Sequence, residues 1–435
     1  MMKKNKQTPI FIHSLFRSGS TFVFNQFRKS ASPYWCYQEP LHEKAIFAKS
    51  DHEILLESDD STAKVLRHPK LGKPYFWELY EVAQTCLEFI DENSPYKSFF
   101  SRDEATVNYF NALIRESKAR TVIQECRTSA RIGVLKRELG GTHIYLWRNP
   151  RDQWWSYKVL DYFDTANQVI INADDVPPVI ELLRSEIGFA RYRSTDINDE
   201  FFWFKRNKLK FDESYLVFYV LWVLSLIEAR KSADLMINMD SLSSDQSYAN
   251  RIRAELIENE IFDIDFDDCN SPYFNFHTSE IDRFEKIEKL AHDLFVKVGF
   301  SPSLIQYVIN EKENNRVESL EKNEVAVNLV GEAFKARQLV ERFNEETLEI
   351  KSIYENLNNH IATGLNDEIE QVKLEKARIE EDLLGKNLLV VEVSKELKEE
   401  SLAKNEYKEK YESIINSKFW KLTHSIRRIV SFIYK

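Results

Sequence analysis

The sequence predicts an α/β protein, a three-layer domain with a central parallel sheet, followed by a long helical coiled coil. Three observations carry that expectation. "PIFIHSLF", Pro9 to Phe16, reads as a buried strand and runs through a short loop into a helical segment, "STFVFNQFRKS". "GGTHIYLWRNPRDQWWSYK" repeats the plan, with an apolar strand ending at Arg148, an Asn149-Pro150 turn and a helix starting near Asp152. Finally, from Leu365 to Ile414 a strict alternation of three and four residues picks out fifteen positions, eleven of them apolar, which is a coiled-coil seam.

Composition bounds the rest. With 435 residues, 43% of them apolar and 30% charged, the chain can bury a large core and divides into two or three units. A net charge of -10 argues against a general nucleic-acid binder, so no nucleic-acid partner is expected. The four cysteines (Cys36, Cys86, Cys126 and Cys269) show neither a CxxC pair nor a metal-ligand spacing, which fits a reduced, cytoplasmic setting without a disulfide framework. The apolar run near the N-terminus is broken by His13 and Ser14 and suits a first strand better than a signal peptide. Tyr215 to Ile227, the longest apolar run, is too short to span a bilayer and reads as a buried helix.

All eleven prolines lie at or before Pro302, after which Glu, Lys, Asn and Leu dominate. The expected organisation is a domain at 1–312, a helical coiled-coil region at 313–415 and a basic amphipathic helix at 416–435. Leu339, Phe343, Ile350, Ile353 and Leu357 continue the seam spacing, with a stutter near Gly364. Such a seam predicts a homo-oligomer; a single solvated helix or a hairpin folded on the main domain is the competing reading. In the last nineteen residues Phe419, Leu422, Ile426, Ile429 and Ile433 recur at helical spacing among five basic residues and no acid. That pattern suits an anionic membrane surface or an acidic partner, or a helix packing on its own protein.

Chemistry concentrates at Leu15 to Phe27, "LFRSGSTFVFNQF". A strand, a tight loop and a helix start bring unpaired amides and the positive end of the helix dipole to one spot. Gly19 permits close approach, Ser20 and Thr21 add hydroxyls, and Arg17 adds a permanent charge. The string alone is equally a capped helix after a turn. A nucleoside triphosphate loop would carry a lysine after the glycine, but here Ser20 follows Gly19 directly.

Together the two segments resemble the sulfotransferase family that uses 3′-phosphoadenosine 5′-phosphosulfate (PAPS), whose domain is P-loop-like. The resemblance implies that Arg17, Ser18, Gly19, Ser20 and Thr21 hold the 5′ end of PAPS. Arg148 and Ser156 would hold its 3′-phosphate. Glu39-Pro40, in "YWCYQEPLHE", is similar to the Glu-Pro of carbohydrate sulfotransferases, and Asp240 and Leu242 resemble the family's strand-ending acid and leucine. The resemblance spans roughly residues 8 to 300. It leaves Lys49 to Arg120 and Asp164 to Arg206 unmatched, and these segments are where acceptor specificity is expected. The implied reaction moves a sulfuryl group to a carbohydrate hydroxyl and leaves adenosine 3′,5′-bisphosphate (PAP), with no metal. Arg17 would stabilise developing charge. Glu39 is the first candidate for the base, Glu125 the second and His42 the third; a solvated or capping acid is the alternative for each carboxylate.

The C-terminal segment is also similar to the tail of bacterial glycosyltransferases and related surface-polysaccharide enzymes, through Trp420, Leu422, Thr423, Ile426 and Arg427, with Ser425 where a proline would stand. A glycan-assembly partner, or a peripheral position at the inner face of the membrane, follows from that likeness. Two other readings stay open: a P-loop nucleotide or sugar kinase, and a catalytically inactive coiled-coil adaptor.

Overall fold

Five short strands pair in parallel in the order β2-β3-β1-β4-β5: β1 (Ile10–Ser14), β2 (Tyr34–Gln38), β3 (Arg120–Glu125), β4 (Thr142–Trp147) and β5 (Leu235–Asn238). Ile10 sits level with Val122 on one side and Thr142 on the other, so the first strand is central. The computed structural model describes residues 8–57, 70–91, 95–274, 276, 278–314, 347, 350–352 and 366–416. The chain divides into two compact units, Met1–Val327 and Asn328–Lys435.

The strands alternate their side chains between two apolar layers, as the pleat requires. Phe11, Tyr37 and Ile123 pack with Tyr109, Phe110 and Leu113 of one helix; Ile10, Ile12, Val122, Ile144 and Leu146 pack with Val23, Phe24 and Phe27 of another. In chain order the helices of the first unit begin with α1 (Ser20–Lys29), α2 (Glu43–Phe47), α3 (Trp77–Tyr80), α4 (Ala83–Cys86), α5 (Glu104–Glu116), α6 (Ile132–Leu139) and α7 (Pro150–Trp155). They continue with α8 (Tyr162–Ile171), α9 (Pro178–Glu186), α10 (Ile197–Arg206), α11 (Phe211–Ser232), α12 (Met239–Ser244), α13 (Gln246–Glu258), α14 (Thr278–Lys297) and α15 (Pro302–Asn314).

Local chemistry explains the ends of these elements. Asp103 caps α5 by accepting from the amides of Ala105 and Thr106, and Asn149 caps α7 ahead of Pro150, whose fixed φ suits a first helical position. Val23, Phe24 and Phe27 of α1 are buried in the layer against the sheet, and Phe22 lies at the edge of the same cluster. Each fully buried apolar side chain of this size contributes about 1.5–3 kcal/mol. The apolar run from Tyr215 falls in α11, which is buried from Ser214 through Leu226. No helix among the described residues is long and apolar enough to cross a membrane. All four cysteines are free thiols.

In the second unit α16 (Asn366–Asn416) runs unbroken for 51 residues. Its seam positions Val372, Ile379, Leu383, Val390, Val393 and Leu397 are half-buried, while Leu374, Leu384, Leu388 and Leu402 on other faces are exposed. Tyr407, assigned to the seam, is exposed as well. The basic segment from 417 onwards lies outside the described residues, as does the earlier seam segment apart from Thr347 and Ile350–Ser352.

Candidate active site at the carboxyl end of the sheet

The central strand delivers its following loop between β3 and β4, at the edge where open parallel sheets receive ligands. Gly19 is the N-cap of α1 at φ 91°, and no side chain caps the helix. Its carbonyl accepts from Phe22 and Val23, but no hydrogen bond among the described residues uses the amides of Ser18, Gly19, Ser20 or Thr21. The Ser18 hydroxyl is completely buried and has no partner among the described residues. A buried polar atom left so is costly, about 1–3 kcal/mol. A Cβ on Gly19 would also stand 3.1 Å from Cε of Met239, a tight contact that the methionine end would have to shift to relieve. The neighbouring Arg17 adopts φ 61°, a left-handed conformation that is strained for arginine.

The second motif meets this loop directly. Arg17 Nε donates to Ser156 Oγ at 3.2 Å, Arg148 Nη1 donates to the Arg17 carbonyl at 3.5 Å, and Gln153 Nε2 donates to the Phe16 carbonyl at 2.7 Å. Segments more than 130 positions apart in sequence thus close around one helix start. Arg148 is itself held on its other sides. Nε donates to Asp240 Oδ1 at 2.8 Å and Nη2 to the Pro272 carbonyl, while Asp240 Oδ2 also accepts the Asn149 amide at 2.6 Å. Asp240, expected as a strand-ending acid, lies in the first turn of α12 and fixes the arginine.

A second charged cluster adjoins the loop through Phe16. The Arg127 guanidinium lies 5.0 Å from the Phe16 ring centroid, and Phe16 in turn packs on Tyr162 and Phe163, over which Arg17 sits at 5.8 Å. Arg127 is 0% exposed. Nη1 reaches Glu39 Oε2 at 2.9 Å and Glu125 Oε1 at 3.1 Å, and Nη2 reaches Tyr162 at 2.8 Å and Glu43 Oε2 at 3.5 Å. Glu43 also accepts from Tyr96 and Tyr162. The loop bearing Arg127 is tied to the sheet by Thr128, whose hydroxyl lies 2.7 Å from His13 Nδ1; His13 Nε2 meets His143 Nδ1 at 2.9 Å. Burial holds both imidazoles below their ordinary values, His143 at about 4, so the pair is neutral at pH 7.

The three base candidates occupy different environments. Glu125 accepts from the amides of Leu41, Cys126 and Arg127 as well as the guanidinium, and its side chain is 2% exposed; burial pushes its carboxyl up. Sealed in this way, it serves the loop rather than a ligand. Burial alone would also raise Glu39. Arg127, His42 and the hydrogen bonds from Arg127 and Tyr75 outweigh it and hold Glu39 below the usual range, ionised, with its side chain 12% exposed. Glu39 follows β2 with φ 39°, so it and Arg17 are two of the four non-glycine residues at positive φ among those described. His42 caps α2 by accepting the Lys44 amide on Nδ1 at 3.1 Å, and burial keeps it below its ordinary value. The same Nδ1 lies 3.1 Å from Glu43 Oε2, so the Lys44 amide and the Glu43 carboxylate compete for it, and the tautomer decides which of them it serves.

Every residue expected at the site therefore lies at this edge of the sheet, and Arg17, Arg148 and Ser156 are joined by direct contacts. Sequence reasoning missed Arg127, Glu43, Tyr75, Tyr96 and Tyr162. The one local signal was an arginine two positions after the strand-ending Glu125. Among the described residues no group of three or more His, Cys, Asp and Glu is placed to hold a metal ion. Comparison with protein-family models, curated proteins and solved structures finds no match to this chain.

Proposed function

We propose that the protein is a sulfotransferase that moves the sulfuryl group of PAPS to a carbohydrate hydroxyl, on a P-loop-like domain. The observation that carries the reading is the closure of the Arg17 loop against Arg148 and Ser156 around the uncapped start of α1. PAPS carries an anionic group at each end of an adenosine and needs two such positions. The amides of Ser18 to Thr21, with the buried Ser18 hydroxyl, suit the 5′ end; Arg148 and Ser156 suit the 3′-phosphate. For a phosphate to reach the far side of Arg148, the Pro272 carbonyl must give way.

In the reaction the acceptor oxygen bonds to sulfur, the sulfur–oxygen bond to the 5′-phosphate breaks, and the acceptor's proton passes to a base. Glu39 fills that role, being ionised and, unlike Glu125, partly open to solvent. Arg17 stabilises the charge that grows on the departing phosphate. Tyr75 and Phe201 come from the two segments that the family likeness leaves unmatched, and with Tyr162 they give the acceptor side half-buried aromatic rings compatible with a sugar face, with Tyr96 fully buried behind them. Self-association through the α16 seam, and contact of the basic C-terminal segment with an anionic membrane surface or a glycan-assembly partner, are parts of the same proposal, as is a cytoplasmic location.

The test is transfer of radiolabelled sulfuryl from PAPS to a panel of glycans. Transfer by the unaltered protein and its loss in Glu39→Gln, with PAP binding retained, are expected. Full turnover in Glu39→Gln would remove Glu39 from the base role.

A further inference from the structure

We propose that Tyr75 is a positioning residue for Glu39: together with Arg127 it holds the carboxylate by both oxygens, leaving the remaining lone pairs to receive the acceptor's proton. This inference rests on the sulfotransferase reading above. Tyr75 donates to Glu39 Oε1 at 2.8 Å and accepts from Gln38 Nε2 at 2.8 Å, and Arg127 donates to Glu39 Oε2 at 2.9 Å. Grasped on one oxygen only, the carboxylate would be free to rotate about its last torsion, which is broad and roughly two-fold. Grasped on both, it cannot. A base is effective only within hydrogen-bond reach of the proton it takes, and loss of such alignment is costly in rate.

Tyr75 fits this role because its phenol is a permanent donor. Burial and then the Glu39 carboxylate push it well above its ordinary value. Its ring is held independently, edge-on to Phe76 at 4.8 Å, and its carbonyl accepts from Arg28. The Tyr75 backbone and ring therefore stay fixed when the hydroxyl alone is removed. The charged and titratable groups around Glu39 come from every neighbouring element: Glu125 at the end of β3, Cys126 and Arg127 after it, His42 and Glu43 at α2, and Tyr162 of α8. Of these, only Arg127 donates to the Glu39 carboxylate alongside Tyr75 among the described contacts, while the His42 amide donates to the Glu39 carbonyl.

Tyr75→Phe in the full chain tests the proposal. Glu39 is followed through a pH titration by carbon NMR with labelled glutamate, its resonance identified by its loss in Glu39→Gln, while PAP affinity and sulfuryl transfer are measured in parallel. Removing the donor to the charged form should move the Glu39 titration to higher pH and move the acid limb of the rate profile with it. Turnover should fall about tenfold, with PAP affinity unchanged. A Glu39 titration that stays in place overturns the proposal even if turnover falls, because Tyr75 then acts through packing alone. Failure of PAP to bind the unaltered protein overturns the sulfotransferase reading and this inference with it, by a readout that Tyr75→Phe does not touch.

Discussion

The two halves of the proposed donor site differ in how far the protein uses their hydrogen-bonding capacity itself. At the start of α1, four consecutive amides and the Ser18 hydroxyl make no hydrogen bond among the described residues. At Arg148, Nε, Nη1 and Nη2 are all engaged, by Asp240, Arg17 and Pro272. An anion at the first half gains donors that cost nothing to release. At the second it must displace a carbonyl, so binding there is coupled to the segment that carries Pro272. The lesson is that a shared chemistry, anion recognition, can be built either as unused backbone donors or as a fixed cation held ready by a buried acid.

The largest expected effect lies on the engaged half. Arg148→Ala leaves Asp240 buried beside a lost cation and should destabilise the fold by about 3–5 kcal/mol. Pairing it with Asp240→Asn should recover much of the stability but none of the PAP-induced rise in melting temperature; recovery of both would remove Arg148 from the site. On the open half, Gly19→Ala should cost about 1–2 kcal/mol, from its left-handed backbone, and should also crowd Met239. Chemical denaturation measures it, and a neutral outcome would contradict the described loop conformation. The smallest effect has the opposite sign. Ser18→Ala removes a buried hydroxyl without a partner and should stabilise the protein by about 1 kcal/mol while weakening PAP binding. Loss of stability would mean that the hydroxyl already has a partner within the protein.

What the sequence made legible follows the range of the physics. Arg17 through Thr21 could be grouped because a strand, a loop and a helix start lie within a few residues, whereas Arg148 and Ser156 entered only through the family likeness, and their contact with Arg17 is tertiary. The run of β-favouring residues in "PIFIHSLF" likewise pointed to a buried strand, and β1 is buried on both faces. The strand order could not be read, since nothing in a single strand states its neighbours; β3 separates β2 from β1, and that order sets Glu39 and Glu125 beside one guanidinium. Arg127 itself looked like an ordinary charged residue, although it is fully buried among three carboxylates. Tyr75, Tyr96 and Phe201 lie in stretches without a recognisable pattern, and their grouping is tertiary. His42 was legible as a residue near the site but not as a helix cap, which depends on the Lys44 amide pointing at Nδ1.

The central claim is that this sheet edge binds an adenosine phosphorylated at both its 3′ and 5′ positions. Thermal melting with adenosine 3′,5′-bisphosphate and, separately, with ATP and magnesium tests it most directly. The account predicts a rise in melting temperature with the bisphosphate and none with magnesium ATP. Stabilisation by magnesium ATP and not by the bisphosphate would contradict it and favour a kinase.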